Sequence, residues 1–217
     1  MILEKLKELK FPDLITIVVP GIILVGFSYK FGFYSSKVIG ATWVLSLFSP
    51  VDFITAQFDL YFYYLIAVVY LERVIDGKQD LRVGLIRANA LMIGSFIGLY
   101  FLIGELALTS YMYAFVSLHA IALILYNNSI GLRSLSLLAI FIFMPMISGS
   151  IAADNVRDKI LPMVKLNKQN EIDGSWFLLD KFSDKAILIN TTQEKNYFKV
   201  VELKEIEFIE SSKNKNS

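Results

Sequence analysis

Four ionisable side chains inside the long apolar part of the chain are the first candidates for chemistry: Asp52, Asp59, Glu105 and His119. An ionisable side chain within an apolar segment that crosses a membrane usually marks a functional site. Asp52 and Asp59 are seven residues apart and would share one face of a helix. This pair indicates an acidic centre or a cation site. The structural alternative, which we favour, places Asp52 at a helix N-terminus, where the helix dipole stabilises a negative charge.

His119 is the single histidine of the chain. One histidine cannot form a multi-histidine metal site, and Glu105 lies fourteen residues earlier, near the opposite end of the same predicted helix. Two interpretations stay open. We favour a neutral histidine hydrogen-bonded between helices, and the alternative is a proton- or pH-sensing site. We expect neither a bound metal nor a cofactor.

The motifs that carry common enzyme chemistry are missing from the sequence. Cysteine is absent, which excludes disulfides, thiolate nucleophiles and iron–sulfur clusters. There is no HExxH, Walker A or GxGxxG motif, and the stretch from Gly94 to Gly98 is not a GxSxG elbow because its serine directly follows the first glycine. We therefore predict no enzymatic activity and no catalytic residue. The net charge of +1 provides no field that would attract nucleic acid, so we expect no direct nucleic-acid binding.

Small residues recur every fourth position in one predicted helix, at Ala90, Gly94 and Gly98. They give the helix a smooth side on which another backbone can approach closely, as in the GxxxG motif. The pattern predicts tight helix packing, either within the protomer or between protomers of a homo-oligomer.

The composition indicates a lipid environment for most of the chain. Hydrophobic residues make up 55% and charged residues 19%, and the mean hydropathy is +0.56, whereas soluble domains carry about 45–50% apolar and about 25% charged residues. A helix needs roughly 20 apolar residues to cross a bilayer. Apolar runs of that order cover residues 13–34, 50–75, 83–103, 106–126 and 132–153, and a shorter one covers 38–48.

The predicted fold class is an all-α transmembrane helical bundle of five to six membrane helices with a small C-terminal β-barrel-like soluble domain, SH3-like or OB-like. An amphipathic interfacial helix is expected at 1–12, the transmembrane domain at 13–153, a juxtamembrane helix and linker at 154–170, the β-rich domain at 171–210 and a disordered tail at 211–217. Predicted strands cover 175–182, 186–190, 197–203 and 206–209. Trp176 and Phe182 are candidates for partner binding, with a core position as the alternative for Trp176.

The distribution of basic residues leaves the orientation open. Two basic regions flank the last three predicted spans: Arg73, Lys78, Arg82 and Arg87 before them, and Arg157, Lys159, Lys165 and Lys168 after them. Three crossings place these regions on opposite sides, and the preference of positive charge for the cytoplasm then favours an outward C-terminal domain. If residues 38–48 also cross, both termini are cytoplasmic.

Two stretches resemble known proteins. The segment from Asp13 to Gly21, with an Asp-Leu pair, an apolar run and Pro-Gly, resembles the opening of small multi-span bacterial membrane proteins. Residues 175–209 are similar to the SH3-like domain that ends many of these proteins, and the general architecture is similar to the membrane subunit of Kiwa-type antiphage systems. The resemblance implies a cell inner membrane location and a cytoplasmic C-terminal domain.

From these observations we expect a non-enzymatic integral membrane scaffold or sensor subunit. It would oligomerise in the lipid bilayer and dock a cytoplasmic protein partner through its β-domain, in antiphage defence according to the resemblance. The alternative is an oligomeric ion channel or transporter, in which the four ionisable residues named first would line a path.

Overall fold

The computed structural model describes residues 11–74, 81–103, 108–157, 161–167, 175–191 and 195–210. The interfacial helix predicted at 1–12 lies almost entirely outside these ranges, and so does the tail predicted at 211–217. Seven α-helices lie within the described ranges: α1 Phe11–Ser35, α2 Pro50–Ile54, α3 Phe58–Val74, α4 Leu81–Ile103, α5 Leu108–Tyr126, α6 Ile130–Leu138 and α7 Met144–Arg157. A 3₁₀ turn covers Thr42–Leu47, and a π-helical turn, Ala139–Phe143, joins α6 to α7.

The prediction of five to six membrane helices is wrong. Among the described residues, two helical stretches are long and apolar enough to cross a membrane, Val18–Ser35 and Ile130–Asp154. The predicted span at 50–75 is divided between α2 and α3, and the short one at 38–48 contains a six-residue 3₁₀ turn. At about 2 Å per residue such a turn cannot cross roughly 30 Å of hydrocarbon. Counting apolar residues along the sequence overlooked these helix breaks.

The chain forms two compact units, each described here by itself. A helical unit comprises Met1–Ser28 and Ile54–Pro145, and a sheet unit comprises Tyr29–Phe53 and Met146–Ser217. The core of the helical unit is built mainly from α3 and α5, whose buried residues include Leu71, Leu118 and Ala122. Small and large side chains alternate there, which allows the two helices to pack closely.

The π-helical turn is stabilised from a neighbouring helix. In this turn the N–H of Met144 donates to the carbonyl of Ala139, five residues earlier. The next bond in that series would come from residue 145, but Pro145 has no N–H to donate. The Tyr64 hydroxyl donates to the Ile140 carbonyl oxygen instead, at 2.6 Å. A side chain of α3 thus satisfies the acceptor that proline leaves open.

The sheet unit contains five strands: β1 Met163–Leu166, β2 Trp176–Phe182, β3 Lys185–Thr191, β4 Asn196–Glu202 and β5 Ile206–Glu210. Their order is β4-β3-β2-β1-β5, and every neighbouring pair is antiparallel. The C-terminal region is therefore a five-stranded antiparallel sheet with β4 and β5 as its edges. β1 lies in the segment predicted as a linker, and a 3₁₀ turn, Leu203–Glu205, leads into β5.

Strand β3 is buried on both faces of the sheet. Ile187, Leu188 and Ile189 have no exposed surface, although successive side chains of a strand point to opposite faces. Leu188 joins a core with Val164 and Trp176 on one face. The continuous apolar run of β3 is what a strand covered on both sides requires.

Helices α1 and α7 approach each other backbone to backbone within the sheet unit. A Cβ atom on Gly32 would overlap the Met146 carbonyl oxygen, and one on Gly149 would overlap the Tyr29 carbonyl oxygen. Neither obstacle is a flexible side chain that could turn away. The crossing therefore depends on two glycines that had not been singled out from the sequence.

Gly149→Ala tests this crossing. We expect it to destabilise the protein by about 2 kcal/mol, because a backbone carbonyl must move to admit the methyl group. Gly131→Ala is the matched control, since a Cβ there meets nothing closer than the Ser129 hydroxyl at 3.9 Å. Replacing that exposed helical glycine should leave stability unchanged or raise it. Melting temperatures in detergent compare the two variants, and an equal response would contradict the close crossing.

Candidate functional site

A buried ion pair fixes the sheet to the last turns of α1. Lys30 is 6% exposed, and its Nζ lies 2.6 Å from Oδ2 of Asp180 on β2. The Tyr34 hydroxyl donates to the same carboxylate oxygen at 2.8 Å. Lys30 and Tyr34 are four residues apart and therefore lie on one face of the helix. We call Lys30, Tyr34 and Asp180 the anchor cluster.

A β-bulge brings the Asp180 carboxylate to this face of the sheet. Leu178 pairs with Leu188, and the register then shifts so that Asp180 pairs with Ile187. In a regular strand Asp180, two positions after Leu178, would point with it into the apolar core of the opposite face. The bulge reverses that direction, which is a known use of bulges.

Aromatic rings enclose the anchor cluster. The Lys30 ammonium lies 3.9 Å from the centre of the Phe48 ring, a cation–π contact. Phe48 also packs against Tyr34, with ring centres 5.9 Å apart, and against Phe182 at 5.4 Å. These rings cover the Lys30 ammonium and so strengthen its electrostatic attraction to the carboxylate. Because Lys30 is almost fully covered, the arrangement is suited to holding two elements together rather than to meeting a substrate.

Asp52 lies beside this cluster and stabilises the start of α2. Its Oδ2 accepts hydrogen bonds from the Ser49 hydroxyl at 2.7 Å and the Ser49 backbone N–H at 2.8 Å. Burial raises the pKa of the Asp52 carboxyl, but the hydrogen bonds from Ser49, a bond from the Ser183 backbone N–H and the attraction of Lys30 outweigh it, so the pKa lies below its usual value. The structure thus places Asp52 at a helix N-terminus, where the helix dipole and the hydrogen bonds from Ser49 stabilise its negative charge.

Of the other predicted polar residues, Asp59 and His119 are described, and they lie in different surroundings. Asp59 is exposed in the first turn of α3, and Glu105 lies outside the described residues. The His119 Nε2 lies 3.3 Å from the Asn89 amide nitrogen, and its Nδ1 lies 2.8 Å from the Phe115 carbonyl oxygen. Since a carbonyl can only accept, Nδ1 carries the proton and Nε2 accepts from Asn89. The Asn89 contact therefore links His119 on α5 to helix α4.

The predicted packing and partner-binding residues fall into two groups. Ala90, Gly94 and Gly98 are exposed, and a Cβ on either glycine would meet no atom within 4 Å. Trp176 and Phe182 are each 8% exposed: Trp176 lies in the sheet core, and Phe182 packs on Phe48. The smooth face is therefore open among the described residues, whereas both aromatic candidates are covered.

The sequence analysis missed the anchor cluster, although one of its three residues carried a signal. Lys30 is a charged residue inside a predicted span, the feature that drew attention to Asp52 and His119. Asp180 carried no such signal, because a carboxylate next to Lys181 is ordinary in a strand of a predicted soluble domain. Only the bulge, which the sequence does not reveal, directs it toward Lys30.

The described residues offer no metal site, and the chain matches no known protein. Within the described residues, no group of three or more His, Cys, Asp or Glu side chains is arranged to bind a metal ion. In comparisons with known proteins, no protein-family model, curated protein or solved structure matches the chain.

Lys30→Met tests the buried pair. Removing one partner leaves the Asp180 carboxylate without its counter-charge, so we expect a loss of about 3 kcal/mol in the free energy of unfolding. The double variant Lys30→Met/Asp180→Leu replaces the pair by apolar groups and should recover most of that stability. Denaturant titration in detergent measures both. A double variant no more stable than the single one would show that the ion pair does not account for the loss.

The lowered pKa of Asp52 predicts how stability changes with pH. The charged form stabilises the fold above the usual value of 3.8, and this contribution is lost as the pH falls through the lower value of the folded state. Wild type should therefore melt above Asp52→Asn at neutral pH, and the gap should close in strong acid. Thermal melts followed by circular dichroism provide the measurement. The exposed Asp59→Asn serves as control, and a gap that widens on acidification would contradict the assignment.

Proposed function

We propose that this protein is a non-enzymatic membrane scaffold or sensor subunit whose C-terminal sheet docks a cytoplasmic protein partner. The observation that carries the proposal is the anchor cluster, which joins β2 to the end of an apolar helix long enough to cross a membrane. A displacement of α1 must move Lys30, and Lys30 cannot separate from Asp180 without leaving a buried charge unpaired. A change in the lipid phase is thereby passed to the sheet.

The proposed location is the inner membrane of a bacterium, with Val18–Ser35 and Ile130–Asp154 crossing the bilayer and the sheet in the cytoplasm. The helices qualify by length and apolar composition. The cytoplasmic placement of the sheet follows the resemblance described above. The charged residues of the edge strands β4 and β5 support an aqueous location for the sheet.

We further propose that copies of the chain associate through α4. Ala90, Gly94 and Gly98 offer an open smooth face, and large apolar side chains around them, including Ile86 at 69% and Ile97 at 50% exposure, also lie uncovered. Small residues at such a face allow another helix to approach closely. A conduction path has less support, because the hydrogen bonds of His119 go to Asn89 and Phe115 rather than to an acidic side chain.

The cellular process we propose is antiphage defence, on the strength of the resemblance to membrane subunits of such systems. Cells expressing wild type, Lys30→Met or the control Lys37→Met, whose lysine is exposed, are challenged with a panel of phages. All three proteins should stay in the membrane pellet after an alkaline carbonate wash. Plating efficiency should fall with wild type and the control, and recover with Lys30→Met because the anchor is broken.

Each part of the proposal has its own contradicting result. Release of wild type by carbonate would reject the membrane location. Equal protection by Lys30→Met, with the protein folded and membrane-bound, would reject transmission through the anchor cluster. Absence of protection against every phage tested would remove the proposed process while leaving the first two results standing.

A further inference from the structure

Strand β5 forms one edge of the sheet, and within the described part of the chain no strand lies beside its outer side. On one side β5 pairs with β1, and on the other side no described strand pairs with it. Phe208 is 45% exposed and Ile209 48% exposed, so the strand presents apolar side chains beside unpaired backbone groups. Such an edge can pair with a strand of another chain, and natural proteins usually block an edge that has no binding role.

Contacts with β1 and with the sheet core fix the position of β5. Lys165 on β1 forms an ion pair with Glu207 at 3.1 Å, and its ammonium lies 5.3 Å from the centre of the Phe208 ring. Ile206 packs against the sheet core. The strand is therefore preformed, and a binding segment would lose little free energy in ordering it.

The charge of β5 limits which segment fits. The strand carries two carboxylates, Glu207 and Glu210, both exposed, and no basic residue. Glu205 precedes it in the 3₁₀ turn. Opposite charges on neighbouring strands stabilise their pairing, whereas like charges oppose it. A segment that alternates basic and apolar residues matches the strand in both respects.

We propose that the outer edge of β5 binds an extended segment of the protein partner by strand addition, and that this segment alternates lysine or arginine with apolar residues. The inference rests on the proposed function, since it names the surface and the chemistry of that docking. Main-chain hydrogen bonds would supply affinity, and the carboxylates would supply selectivity. A second copy of this chain is a poorer occupant, because pairing β5 with itself would bring two acidic strands together.

Peptide binding to the purified full-length protein in nanodiscs tests this surface. The probe is a fluorescent peptide of alternating lysine and valine. Two matched probes accompany it: one with glutamate in place of lysine, and one with lysine and valine but with alternate backbone amides methylated so that it cannot pair along an edge. Fluorescence anisotropy reports binding to wild type, to Glu207→Lys/Glu210→Lys and to the control Asp184→Lys, which changes an exposed turn residue.

Wild type and the control should bind the lysine probe alike. The double variant should bind it about ten-fold more weakly and should bind the glutamate probe instead, because each cross-strand charge pair changes from attraction to repulsion. The methylated probe should not bind. Equal binding of the methylated probe would overturn strand addition, and equal binding by the double variant would overturn the charge selectivity. Dimerisation of wild type that the charge reversal abolishes would assign the edge to a second copy. None of these results depends on phage protection, so the two proposals can fail separately.

Discussion

The attraction between the Lys30 ammonium and the Asp180 carboxylate constrains the whole sheet unit. An ammonium with 6% exposure loses nearly all its hydration, which costs several kcal/mol unless a counter-charge and further polar contacts replace the water. Asp180 supplies the counter-charge, and the face of Phe48 adds a cation–π contact. The Tyr34 hydroxyl also donates a hydrogen bond to this carboxylate. Lys30 can be buried only if the helix end, the segment holding Phe48 and β2 form together.

The chain between α1 and α3 is shaped by that requirement. Residues 36–53 are apolar enough to be mistaken for part of a membrane span, yet polar contacts tie them to the sheet. The Asn196 amide donates to the Val38 carbonyl oxygen at 2.6 Å, and Trp43 packs edge-on against Phe198. Asp52 accepts from the Ser183 backbone. Apolar side chains here cover a sheet face, so their hydropathy reflects protein burial rather than contact with lipid.

The sequence was informative where structure depends on local pattern and uninformative where it depends on pairing between distant segments. Alternating and continuous apolar runs located β2 through β5 within a residue or two, and Ser183-Asp184 marked the turn between β2 and β3. β1 escaped notice because four residues carry too little periodicity. The predicted number of membrane helices was wrong because the length of an apolar run reveals neither a break in a helix nor a sheet that covers the run. Lys30 could have been flagged as a charge in an apolar helix, but its partner could not.

Burial of both faces of the sheet at β3 limits what is left for recognition. One face closes over the core around Trp176, and the other takes up Phe48 through Phe182 and Trp43 through Phe198. The two aromatic residues predicted to bind a partner are therefore buried within the fold. A sheet whose inner strand is covered on both faces can still interact through an edge strand, which offers backbone donors and acceptors to another strand. Because the anchor cluster and its aromatic neighbours occupy these parts of the sheet, an edge strand is the surface left for recognition.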